Sequence, residues 1–261
     1  MSERINILGV PFDKKTKQET LSIVLNWLKE NKKHHIATPN PEFLLKAQKN
    51  TLFKEILNKT DLNIPDGIGI LWASSYIQNP KLLRGIGLLI SLLFHQKSCK
   101  KILKERVSGA DLMLDICEKV ANTPHKIFLL GAREGIAKKA SENLLKHFPA
   151  LKIVGTYSGN PDEKNLTDRI NDSKADIIFV AYGAPKQEIW IHENLQKLTY
   201  VKLAMGVGGA FDFIAKSKKR APEFMRTIGL EWLFRLIQEP KRIKRIWNAV
   251  IKFPYTVMKK R

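Results

Sequence analysis

At 261 residues, 44% of them hydrophobic, the chain can bury a substantial core without disulfide staples, as one large domain or one domain with an appendage. Its two cysteines, Cys99 and Cys117, show neither metal-ligand spacing nor a secreted framework, and the first residues lack the apolar core of a secretory signal, so a reduced cytosolic compartment is favoured. A net charge of +20 is unusual for a metabolic enzyme and points to an anionic partner: nucleic acid, anionic lipid or a phosphorylated substrate.

Ile5 to Val10 reads as a first strand, followed by a helix from about Lys17 to Glu30 that opens with Thr16 and Glu19 in capping-box spacing. His34 to Thr38 reads as a strand running into Pro39-Asn40-Pro41. The two histidines alternate sides of that strand and are read as structural. Thr38 and Asn40 would present a hydroxyl and an amide at the strand's carboxyl end, suited to a sugar hydroxyl or, equally, to turn and helix-cap chemistry.

After a helix over Leu52 to Lys59 comes Ile64-Pro65-Asp66-Gly67-Ile68-Gly69-Ile70, a strand end opening through a glycine-softened turn into a helix to Tyr76. This is where α/β enzymes hold reactive groups, and it makes Asp66 a candidate acid or base; the competing assignment is a helix cap. Trp72 reads as core. Leu82 to Phe94 is apolar but too short to span a bilayer, so it reads as a buried helix or as a face meeting lipid, with Arg84 reaching a phosphate.

From Ser108 the chain becomes regular. Helix Ala110 to Val120, strand Lys126 to Leu130, helix Ile136 to Phe148, strand Lys152 to Thr156, a helix through Ile170, strand Asp176 to Ala181, a helix to about Leu195 and strand Val201 to Gly206 follow in turn. Repeated strand, loop and helix units imply a parallel α/β sheet with a ligand crevice at the strand carboxyl ends. Its glycine-bearing turns resemble nucleotide-binding loops without matching a strict motif. No Asp-x-Asp pair and no clustered His, Cys and carboxylate set is visible, so no metal and no cofactor is expected, and positive side chains must neutralise any phosphate.

The basic excess lies in the tail: residues 216–261 hold 14 Lys or Arg against Glu223, Glu231 and Glu239, a net +11 that leaves +9 for the first 215. A helix over Pro222 to Gln238 is followed by a segment, Lys241 to Lys252, in which Ile243, Ile246, Trp247 and Val250 form an apolar stripe under a basic face. That pattern suits an interfacial membrane helix, a helix docked on the domain, or an RNA-contacting helix. We therefore divide the chain into an α/β catalytic domain, 1–215, and a basic helical appendage, 216–261.

With these residues in hand, the chain resembles the WecG/TagA/CpsF glycosyltransferases over nearly its full length. The resemblance rests on Asn6 to Asp13, Thr38-Pro39-Asn40-Pro41-Glu42, Pro65-Asp66-Gly67-Ile68-Gly69, Gly183 to Glu188, Gly206 to Asp212, and Arg220-Ala221-Pro222 followed by Gly229 to Arg235. It implies a Rossmann-like sheet flanked by helices, and an inverting, metal-independent transfer of N-acetylmannosamine from its UDP donor to undecaprenyl-diphosphate-linked N-acetylglucosamine. Carried over by motif, Asp66 is the general base. Thr38, Asn40 and Gln187 contact sugar or diphosphate, Arg84, Arg220 and Arg226 supply charge to diphosphate, and Gly131, Ala132, Tyr182, Gly183 and Asp212 line the nucleotide side.

The resemblance further implies a tail that associates with the inner face of the cell membrane, and self-association connected with masking or release of that tail. The donor sugar is not settled by it, since relatives serve teichoic acid linkage units, common antigen, capsule or exopolysaccharide. Rival readings are a nucleic-acid-binding protein using the basic tail, although no aromatic RNA-recognition motif is present, and another nucleotide-dependent enzyme such as a methyltransferase.

Overall fold

The computed structural model describes residues 3–81, 83, 85, 87, 89, 99–227 and 230–260. Its opening departs from the single strand expected over Ile5 to Val10. Strands β1 (Arg4–Ile7) and β2 (Val10–Asp13) pair antiparallel, Ile7 opposite Val10. Leu8 and Gly9 between them both adopt positive φ (53° and 81°), the two-residue turn whose twist suits a hairpin, and Asn6 Oδ1 accepts from the Gly9 amide at 2.7 Å. Asp13 then ties the hairpin to the domain, accepting from Arg4 Nε and from the Asn63 amide, each at 2.8 Å.

Helix α1 (Lys17–Trp27) starts with the expected capping box: the Thr16 hydroxyl accepts from the Glu19 amide and Glu19 reaches back to the Thr16 amide. There follow β3 (His34–Ala37), α2 (Pro41–Ala47), α3 (Thr51–Lys59), β4 (Leu62–Asn63), α4 (Ile68–Ile77), α5 (Gly109–Val120), β5 (Lys126–Gly131), α6 (Ile136–His147), β6 (Lys152–Tyr157), α7 (Leu166–Asp172), β7 (Ile177–Ala181), α8 (Lys186–Asn194), β8 (Leu203–Gly206) and α9 (Ala210–Ile214). The main sheet has six parallel strands in the order β4-β3-β8-β7-β5-β6.

Strand alternation divides the core between the sheet's two faces. Ile127, Leu129, Ile177, Phe179 and Met205 pack with α1, α5 and α6, while Phe128, Leu130, Ile178, Val180 and Ala204 pack with α7 and α8. The wholly buried Ile-Ile-Phe-Val-Ala of β7 is the expected signature of a parallel strand covered on both faces. A third cluster joins the hairpin to α2, α3 and α4, with Trp72 fully buried and stacked on Tyr76. His34, stacked on Trp27, and buried His35 serve the core, as read from the sequence.

The tail is more broken than its pattern suggests. Helices α10 (Glu223–Thr227) and α11 (Glu231–Gln238) replace one continuous helix. After a short 3-10 turn, α12 (Ile243–Trp247), a π turn (Asn248–Lys252) and α13 (Phe253–Lys259) run on end to end. Phe253 and Val257, 0% and 3% exposed, enter the third core cluster, so α13 packs beside α2 and α4. Among the described residues no helix is long and apolar enough to cross a membrane.

Candidate active site

Asp66 follows β4 at the sheet's carboxyl edge. The ladder beyond the strands holds it there: the Ile64 amide donates to the Ala37 carbonyl (3.0 Å), the Asp66 amide to the Pro39 carbonyl (3.1 Å), and the Val107 amide to the Pro65 carbonyl (2.9 Å). The cap of α4 is Gly67, at φ 121°, with no side-chain cap bond, so the helix-cap alternative for Asp66 does not hold. A side chain at residue 67 would be strained in that backbone and would press on Pro41 at 3.2 Å.

The freed carboxyl faces a cleft of about 540 Å³ between the sheet edge and the tail, walled by Asn40, Ile68, Arg106, Ser108, Glu231, Trp232, Arg235, Arg245 and Ile246 among others. Enclosure raises the Asp66 pKa from 3.8 to about 6. Arg106 and Arg235 pull it down, Glu231 and Asp111 push it up, and burial outweighs them all.

Three ion pairs tie tail to body around this cleft. Arg220 meets Asp111 at 2.7 Å and Ser108 Oγ at 3.4 Å. Glu231, itself 9% exposed, lies 3.5 Å from Arg106 and also accepts from Arg235 one turn on. Arg245 forks onto both Glu42 oxygens, with its Nε 3.0 and 2.9 Å away. Arg106, Glu231, Arg235, Arg245 and Glu42 were absent from the candidates drawn from the sequence. Glu42 and Glu231 sit inside motifs quoted there, and the i, i+4 spacing of Glu231 and Arg235 was the available signal.

The other candidates fall in two places. Asn40 lines the cleft, its Oδ1 spent on capping α2 through the Glu42 and Phe43 amides (3.0 and 3.1 Å). Thr38 is 6% exposed behind it, against Gly109, where a Cβ would meet its hydroxyl at 2.8 Å. Gly131, Ala132, Tyr182 and Gly183 gather instead at the carboxyl ends of β5 and β7. Because β5 leads outward to β6 and β7 leads back to β8, this is a topological switch point and hence a ligand crevice. Gly131, Ala132 and Gly183 hold positive φ there, and burial pushes the Tyr182 phenol up. Asp212 accepts from Arg133 at 3.0 Å across the same edge.

Gln187 is 2% exposed and turns away from the cleft, its carboxamide bonded to loop amides rather than free for a ligand. Arg84 and the side chain of Arg226 lie outside the described residues, as does most of the apolar stretch Leu82 to Phe94.

A parallel sheet with helices on both faces, a switch-point crevice and an acid beside an arginine-walled cleft define an α/β enzyme of the Rossmann-like class. The chain belongs to the glycosyl transferase WecG/TagA/CpsF family, whose profile matches residues 5–102 and 82–261. It is 31% identical to an N-acetylglucosaminyldiphosphoundecaprenol N-acetyl-beta-D-mannosaminyltransferase of Bacillus spizizenii, over 87% of this chain and 79% of that one. A protein of the same name from Staphylococcus aureus strain MW2 is 31% identical over 98% of this chain and 92% of its own length.

Proposed function

We propose that this glycosyltransferase moves N-acetylmannosamine from a UDP donor to N-acetylglucosamine carried on undecaprenyl diphosphate, inverting the anomeric centre without a metal, in the synthesis of a surface polymer such as a teichoic acid linkage unit. The observation that carries the reading is the lone Asp66 carboxyl, bonded to nothing among the described residues, in a cleft walled by arginines. With a pKa of about 6 it is ionised at neutral pH yet basic enough to take a proton. The acceptor hydroxyl attacks the anomeric carbon as Asp66 removes its proton. The bond to the diphosphate oxygen breaks on the opposite face, and that oxygen leaves with the electron pair. In this scheme Arg106, Arg235 and Arg220 balance diphosphate charge with the donors that their carboxylate partners leave over, since a guanidinium fork suits phosphate oxygens.

The donor occupies the crevice of Gly131, Ala132, Tyr182, Gly183 and Asp212. The lipid-linked acceptor enters the cleft from the cytoplasmic face of the membrane, where the tail's exposed ridge of Ile243, Trp247 and Tyr255 (60%, 60% and 64% exposed) rests among its basic residues. A different UDP-sugar donor in the same scheme is the alternative, because the configuration of one hydroxyl is decided by contacts finer than the cleft's outline.

The test is transfer from UDP-N-acetylmannosamine to a short-chain lipid-diphosphate N-acetylglucosamine in EDTA. Asp66→Asn should keep UDP binding and lower turnover by about 10²–10⁴-fold. Full activity in that variant would remove the base assignment, and activity only with added divalent metal would remove the metal-free scheme.

A further inference from the structure

Beyond the cleft lies a second buried acid, one that the transfer scheme leaves unused. Gln187 and Glu188 open α8, 2% and 0% exposed. Gln187 Oε1 accepts from the Gly183 amide and from the Gly208 amide, both at 3.0 Å, so one carboxamide ties the loop after β7 to the loop after β8. Its Nε2 donates to Glu188 Oε1 at 2.6 Å. The knot leaves no spare room: a Cβ at Gly206 would lie 2.4 Å from Gln187 Nε2 and 2.6 Å from Glu188 Oε1. A further strut comes from α2, where Lys46 Nζ donates to the Ala184 carbonyl at 2.7 Å.

A carboxamide is nearly symmetric in shape, and its neighbours decide which end carries the acceptor. Two amide donors on one side and a carboxyl acceptor on the other leave a single satisfied arrangement. We propose that Glu188 is a positioning residue for the transfer reaction: by accepting from Gln187 it sets the carboxamide that fastens the β7 and β8 loops at the donor end of the site. It rests on the nucleotide-donor reading above and adds to it a residue that touches no substrate.

Burial holds Glu188 as the neutral acid, which accepts from Gln187 through its carbonyl oxygen. Its Oε2 is buried without a hydrogen-bond partner, a position far more costly for a carboxylate than for an uncharged carboxyl. Burial accordingly raises its pKa from 4.5 to about 8 against the opposing bond from Gln187. The charged side chain acting on it is Lys46 of α2. Among the other elements packed on α8, α3 brings Lys54, Glu55 and Lys59, β3 brings His34 and His35, the 3-10 turn Leu195–Lys197 brings Lys197, and β7 and β8 bring no titratable group. Because the folded pKa lies above the unfolded one, the stabilisation is complete below about pH 4.5 and fades as pH rises through 8.

The experiment titrates UDP into the full chain and into Glu188→Gln and Glu188→Ala between pH 6.5 and 9.5, with hydrogen exchange followed at the segments holding Gly183 and Gly208. The unaltered chain should lose about tenfold in UDP affinity above pH 8, as the ionised Glu188, its Oε2 without a partner among the described residues, draws water in between the two loops. Glu188→Gln, neutral at every pH, should stay within about threefold of the unaltered chain at pH 7 and show no alkaline loss, while Glu188→Ala should be about tenfold weaker throughout. An alkaline loss undiminished in Glu188→Gln, or unaltered affinity in Glu188→Ala, would overturn the proposal. If the unaltered chain binds no UDP, the donor reading falls, and exchange still decides for Glu188. Protection at Gly183 and Gly208 must drop above pH 8 in the unaltered chain and persist in Glu188→Gln, and failure of that pattern rejects the role.

Discussion

Asp66 carries opposite consequences for activity and for stability. Its folded pKa of about 6 exceeds the ordinary 3.8, so the fold prefers the protonated acid: that stabilisation is full below pH 3.8 and is lost as pH climbs through 6. At neutral pH the ionised carboxylate is therefore a burden on the fold. Asp66→Asn should melt higher than the unaltered chain at pH 7.5 by several degrees, reflecting on the order of 1–2 kcal/mol in a cleft that still admits solvent. It should melt at nearly the same temperature at pH 4, and calorimetry at the two pH values checks the sign. The transfer rate should fall about tenfold per pH unit below 6, as expected for one essential base. The place of Asp66 at a strand edge could be read from Pro65-Asp66-Gly67, because proline and glycine mark an edge within a few residues of it, while its assignment as the base came from the family resemblance. The Glu231 bridge to Arg106 could not be read that way: those partners are far apart in sequence and meet only when the tail folds back.

The tail shows the same division within a single run of helix. Its period places Ile243, Ile246, Trp247 and Val250 on one stripe, but the structure divides them: Ile246 lines the cleft, Val250 lies at its rim still 42% exposed, and Ile243 and Trp247 are 60% exposed. A hydrophobic pattern reports that a face wants cover and is silent about what covers it. The strands of the main sheet were legible for the converse reason, since a wholly apolar run such as Ile177 to Val180 has few other uses. Two substitutions separate the tail's two duties. Phe253→Ala opens the shared core and should cost about 3–5 kcal/mol in denaturant unfolding. Trp247→Ala should leave stability within about 0.5 kcal/mol while weakening sedimentation with anionic vesicles. Equal vesicle binding by Trp247→Ala would count against the ridge as a lipid contact.

At the scale of the whole molecule, the +20 charge sets how the enzyme meets its surroundings. The guanidiniums paired with Asp111, Glu231 and Glu42 also fasten tail to body, and most of the tail's lysines, Lys218 on Glu239 and Lys260 on Gln48 apart, remain for a surface. Binding to vesicles rich in anionic lipid should therefore weaken steeply between roughly 50 and 500 mM salt, as the screening length contracts. Salt-independent binding would assign the contact to apolar insertion alone.

The seating of Phe253 and Val257 also bears on how the enzyme comes into being. Residues 78–252 lie between α4 and α13, and yet the two helices share one core with the β1–β2 hairpin. During synthesis the hairpin, α2, α3 and α4 emerge before α13, so the apolar surface they share with it stays uncovered until α13 arrives. The wall that the tail gives the cleft beside Asp66 forms with it, so a chain interrupted before residue 246 would leave both that cleft and the shared core open.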